Sequence, residues 1–184
     1  MDESLRILGI DQSDCLRLPA LHYMLRKAQK FRNTYGSRPC SQMAALAATI
    51  SIVGVPGGVW PDLLAKQPAI DPGEAMLFAW AAETGGFILT GDKKAVCEVK
   101  RVQGLPQALA GRIITFEAMM IELCRCLGQQ KVREKIAGFK SSDGVLRNCF
   151  ADRDGDALAC LASYDSALRR SASPLLLWRQ DCEA

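Results

Sequence analysis

The sequence predicts an α/β domain, with a mostly parallel sheet carrying helices on its faces and a helical extension at the C-terminal end. Three observations predict it. Asp71-Pro72-Gly73-Glu74 is a helix start leading into an apolar stretch, and the two short apolar runs at 87–90 and 112–115 each pass at once into helical spacing. Beyond Gly128 only helical spacing recurs. Such alternation favours parallel strands, whose carboxyl ends collect ligands.

The 184 residues include 23 Lys plus Arg, 20 Asp plus Glu and 49% hydrophobic residues, the balance of one folded domain with a sizeable core. A formal charge of +3 is too small to attract nucleic acid by its field alone, so phosphate contacts need local clusters. The single histidine, His22, excludes multi-histidine zinc sites and leaves carboxylates as the default chemistry. On a helix with Arg26 one turn along, His22 itself reads as a partly buried polar residue. The eight cysteines have irregular spacing, and Met1 is followed by acidic residues rather than a secretory start. Reduced thiols and a cytoplasmic location are therefore expected. Cys124 and Cys126 lie two apart on an expected helix, on different faces, which does not suit a metal pair.

Taken in order, the run Leu-Arg-Ile-Leu-Gly-Ile at 5–10 is either a strand or a helix end stopped at Gly9. Leu21, Met24, Leu25 and Ala28 recur at helical spacing over 21–31, and a second helix covers 41–50. The stretch 39–61 carries no charge, but Gly54, Pro56, Gly57 and Gly58 interrupt it, so a buried helix and a turn are expected rather than a membrane span. In the next helix Asp71 serves as N-cap, Pro72 as first helical residue and Glu74 as the partner of a capping box; it runs to about Glu83, apolar nearly all round, and ends at Gly85-Gly86. The strand at 87–90 turns through Gly91-Asp92 into a helix striped by Ala95, Val96, Val99 and Val102. Gly104 and Pro106 close that unit. The strand at 112–115 leads into a helix with Phe116, Met119, Met120, Leu123 and Leu127 on one face. Residues 1–128 thus form the α/β domain, and 129–184 a helical extension packed on it, with Val132, Ile136 and Phe139 on one helix and Ala157, Leu158, Leu161, Ala162 and Leu168 on another before Pro174.

Glu74 and Asp92 are the most informative pair, one in the first turn of a buried helix and the other just past an apolar strand. Carboxylates meeting at a strand edge form an oxygen-ligand site for Mg²⁺ or Mn²⁺, which activates water and screens a phosphodiester. Both residues also suit plain helix capping. Lys93, Lys94, Lys100 and Arg101 follow the same edge and either flank a backbone-binding groove or form a solvated face. Lys131, Arg133, Lys135 and Lys140 read as solvated surface. Asp152-x-Asp154-Gly155-Asp156 departs from calcium-loop spacing, because its glycine falls too early and Ser163 stands where the closing Glu belongs.

The segment from Asp71-Pro72-Gly73-Glu74-Ala75 to Phe87-Ile88-Leu89-Thr90-Gly91-Asp92-Lys93-Lys94-Ala95 resembles the centre of PIN domains, a family of metal-dependent nucleases acting mostly on RNA. The resemblance is strongest over residues 69–127. It implies a three-layer fold with helices on both faces of a central parallel sheet, and an acidic cluster at the sheet's carboxyl edge. It also implies Mg²⁺ or Mn²⁺ as cofactor and RNA as substrate. Glu74 and Asp92 match two of the family's metal-binding acids, and Lys93 and Lys94 then sit where RNA passes. A protein partner of antitoxin type and a homodimer are further implications. The family opens on a strand ending in Asp followed by Thr-Asn or similar. Here the best match for that first ligand is Asp11, which either ends such a strand or belongs to a loop with Gln12, Ser13 and Asp14. No carboxylate lies between Asp14 and Asp62 to supply the acid of the early helix. A catalytically inactive PIN-like binding or structural protein is therefore the alternative to a ribonuclease.

Overall fold

The first descriptive element of the computed structural model is a 3₁₀ turn, Gln12–Asp14, capped by Asp11. The structure describes residues 7, 9–138, 143–152 and 155–179. Leu5, Arg6 and Leu8 of the apolar run at 5–10, together with Phe139, Lys140, Asp154 and Cys182, lie outside them.

Strand β1 (Leu16–Arg17) and strand β2 (Ser51–Ile52) pair in parallel, with Leu16 opposite Ser51 and Arg17 opposite Ile52. Between them run α1 (Pro19–Lys27), α2 (Gln29–Tyr35) and α3 (Ser37–Thr49). Arg17 fixes this unit, because its Nε donates to the carbonyls of Ala47 and Ile50 at the end of α3, at 2.5 and 3.1 Å. Leu25, Ala44 and Ala47 form its small core, with Leu21 and Phe31 against them. One helix was expected over 21–31, but the chain breaks at Ala28, which is extended at φ −72° and ψ 110°. Both pieces pack on α3.

After α4 (Trp60–Leu64), the expected capping box opens α5 (Pro72–Thr84). Asp71 accepts from the amides of Gly73 and Glu74 at 2.7 and 2.9 Å, and Glu74 accepts from the Asp71 amide at 3.3 Å. Gly85 ends the helix at φ 76°, a left-handed conformation that glycine adopts without strain. Strand β3 (Ile88–Thr90) then pairs in parallel with β4 (Ile113–Thr115), with Thr90 opposite Thr115. Their connection contains α6 (Lys93–Val99) and α7 (Leu105–Ala108). Helices α8 (Phe116–Leu127), α9 (Gln129–Ile136), α10 (Gly144–Cys149) and α11 (Ala157–Ala172) complete the chain. The protein is a mixed α/β molecule, mostly helical, whose described strands form two separate parallel pairs.

Two larger cores hold it together. Leu64, Phe78, Val96, Val99, Leu105 and Ile113 belong to the first, which Leu168, Ala172, Leu175 and Leu177 from the C-terminal part complete. Met120, Cys124, Val132, Leu146, Phe150 and Leu161 belong to the second. The expected stripe is buried at all four positions, but α6 ends at Val99, so Ala95, Val96 and Val99 lie on the helix and Val102 in the turn after it. Cys124 is buried and Cys126 exposed, as their spacing requires, and the seven described cysteines are free thiols. Among the described residues no helix is long and apolar enough to cross a membrane.

Candidate carboxylate site at the β3–β4 edge

Asp92 follows β3 by two residues and begins α6. Its Oδ1 accepts from the amides of Lys94 and Ala95 at 2.8 and 2.9 Å, while its own amide donates to Thr90 Oγ1 at 3.1 Å. The turn that ends the strand therefore fixes the carboxylate before any ligand arrives. Glu74 is fixed in the same way by its capping box on α5. The structure brings these two side chains within reach of a shared hydrogen bond.

Burial raises Glu74 from its ordinary 4.5 to about 7, against the Asp71 amide, which pulls it down; the neighbouring carboxylates of Asp92 and Asp71 raise it further. Two facing carboxylates that resist double ionisation are a donor set suited to a hard divalent cation. Asp11 is not brought to them. It is fully exposed in the turn before β1, where Ser13 donates from both its amide and its hydroxyl at 2.8 Å, and these bonds lower its carboxyl below the ordinary value. Among the described residues no group of three or more His, Cys, Asp and Glu is placed to hold a metal ion.

The basic residues divide between roles. Lys94 is exposed beside Asp92. Lys93 instead turns inward, its Nζ 2.6 Å from Glu117 Oε1 and 5.0 Å from the centre of the Tyr164 ring. Lys100 donates to the Ser171 carbonyl at 2.6 Å and Arg101 pairs with Glu98 at 2.9 Å, so neither is left to line a groove as a free cation.

Glu117 is the residue that sequence reasoning missed. It is 0% exposed, in the first turn of α8, and borders a cavity of about 690 Å³ that also reaches Asp92, Lys93, Phe116, Asn148 and Tyr164. A sequence signal for it exists: β3 and β4 both end in Thr, and each Thr is followed two residues later by a carboxylate, Asp92 or Glu117. Because Thr90 and Thr115 are in register, both acids lie at one sheet edge.

Neither family models, nor curated proteins, nor solved structures give a match to this chain.

Proposed function

We propose that the chain is a PIN-like domain acting as a divalent-metal-dependent ribonuclease, with Glu74 and Asp92 as ligands for Mg²⁺ or Mn²⁺. In this reading β3 and β4 belong to the central layer of a three-layer fold. The observation that carries it is the meeting of two carboxylates at the carboxyl edge of a parallel strand pair, with Glu74 raised to about 7 by burial and its neighbours. A bound divalent cation would activate water and screen the phosphodiester. Asp92 holds its carboxylate in place through the α6 amides, so little reorganisation accompanies binding. Glu74 must release its proton to become a ligand, and Lys94 supplies positive charge for the RNA backbone beside the pair.

Asp92→Asn tests the reading. Asn keeps the oxygen that caps α6, so folding is nearly unchanged, but it removes the charge a cation needs. Mn²⁺-dependent cleavage of RNA should disappear while the thermal transition stays within a few degrees. Equal cleavage by the mutant would sink the assignment.

A second reading has its own observation. Both carboxylates already serve as helix caps and Asp11 bonds to Ser13, so the same geometry suits a non-catalytic PIN-like binding protein. In that case wild type and Asp92→Asn are equally inert, and Mn²⁺ leaves the thermal transition of either protein unmoved.

A further inference from the structure

The end of α10 meets the first two turns of α11 through a pair of thiols and a hydrogen bond beside them. Cys149 is the last residue of α10, and Cys160 lies in the first turn of α11. The two thiols are within reach of one another, and both side chains pack in the second core. Asn148, next to Cys149, donates from Nδ2 to the Tyr164 hydroxyl at 2.8 Å, and Tyr164 stands one turn beyond Cys160 on the same face of α11. Two successive residues of α10 therefore meet two successive turns of α11, which fixes the register of the helices. The thiols differ in access: Cys149 is 5% exposed, whereas Cys160 is half-buried. Burial pushes the Cys149 thiol up, the Cys160 thiol and the Glu117 carboxylate raise it further, and Lys93 pulls it down. Cys149 is thus a poor first nucleophile, and Cys160 is the thiol that a reagent in solution meets.

We infer that Cys149 and Cys160 form a disulfide site, closed by a small-molecule disulfide such as oxidised glutathione, which ties α10 to α11 at the cavity beside Asp92. The Cys160 thiolate attacks one sulfur of oxidised glutathione, a mixed disulfide forms, and one glutathione thiolate leaves. Cys149 then gives up its proton and attacks the Cys160 sulfur, and the second glutathione leaves. The protein loses two electrons and two protons, and the oxidised glutathione takes up both to become two thiols. Val145, Leu146 and Asn148 of α10 and Tyr164 of α11 line the cavity of about 690 Å³, so the bridge joins the two helices on that side of it. Because α10 has only six residues, a covalent tie at its last one restrains the whole helix. Cys124 and Cys126 are nearer to each other in sequence, but one is buried and the other exposed, which denies them the same pairing. The chemistry needs neither metal nor RNA, and it stands whatever Glu74 and Asp92 bind.

The full chain is incubated with oxidised glutathione without denaturant, remaining thiols are blocked in acid, and a tryptic digest is read by mass spectrometry without reduction. Trypsin cuts after Arg147, Arg153 and Arg169, which places Cys149 and Cys160 on separate peptides. These two peptides should be recovered joined, as the main internal disulfide. Cys149→Ala should leave Cys160 carrying glutathione, whereas Cys160→Ser should leave the buried Cys149 unmodified. In the linked chain the amides of Arg147 and Phe150, which bond to the Asp143 and Leu146 carbonyls, should exchange with solvent severalfold more slowly. Circular dichroism establishes that each variant is folded. If one is not, the wild-type linkage and exchange decide. Separate peptides after oxidation, a main link between Cys124 and Cys126 or any other pair, or unchanged exchange in the linked chain overturns the site. Glutathione on Cys149 in folded Cys160→Ser, or none on Cys160 in folded Cys149→Ala, overturns it as well.

Discussion

Glu74 is held uncharged further up the pH scale than an ordinary carboxyl, about 7 against 4.5, by burial first and by Asp92 and Asp71 after it. Because the folded-state value lies above the unfolded one, the folded protein binds the extra proton between them. The contribution of Glu74 to stability is therefore complete below about pH 4.5 and is lost as pH rises through about 7. Glu74→Gln should flatten that part of the pH dependence of the thermal transition and raise stability at neutral pH. A transition with the same slope in the variant would contradict the proton assignment. Mn²⁺ competes for the same site, so its affinity should increase across the same window. Glu74 and Asp92 were legible in the sequence because each follows a local signal, a capping box and a strand end. Glu117 was harder to see, since burial of a charged residue depends on Lys93 and on the distant α10 and α11, which have no counterpart in local spacing.

At the scale of elements, α8 positions Glu117, and Thr115 starts α8. Thr115 is 1% exposed, and its hydroxyl accepts from the Ala118 amide at 3.1 Å, so one side chain ends β4 and caps the next helix. Thr115→Val keeps the shape but leaves that buried amide unmatched. It should cost about 1–2 kcal/mol in denaturant unfolding. Unchanged stability would mean that the hydroxyl is not the cap. The strands at 88–90 and 113–115 were readable because each is a continuous apolar run bounded by turn residues and followed by helical spacing. Strands β1 and β2 were not, since two residues define no period. The break at Ala28 also left no trace, because alanine favours helix.

At the scale of the molecule, α11 ties the two larger cores together. Ala157 and Leu161 at its start belong to the core built on α8, α9 and α10, whereas Leu168 and Ala172 at its end belong to the core around β3 and β4. The chain then follows the free edge of β4, where the Gly111 amide donates to the Leu176 carbonyl at 2.7 Å and the Trp178 amide to the Ile113 carbonyl at 3.0 Å. Arg169 secures this return. It pairs with Asp165 at 2.6 Å and donates to the carbonyls of Leu177 and Trp178 at 3.0 and 2.7 Å. The C-terminal part is thus integral to the main core, and a chain cut after 138 should fail to fold. A point variant tests the coupling more finely. Leu161 is 0% exposed in the second core, and Leu161→Ala should cost roughly 2–5 kcal/mol through lost burial and the cavity left behind. Trp60 and Trp80 pack against the first core, so their fluorescence reports on the part that Leu161 does not touch. If α11 couples the cores, tryptophan fluorescence and circular dichroism shift together to lower denaturant in the variant. A fluorescence transition left in place while the helical signal moves would show two independently unfolding units, and would make α11 a bridge between them rather than part of a common core.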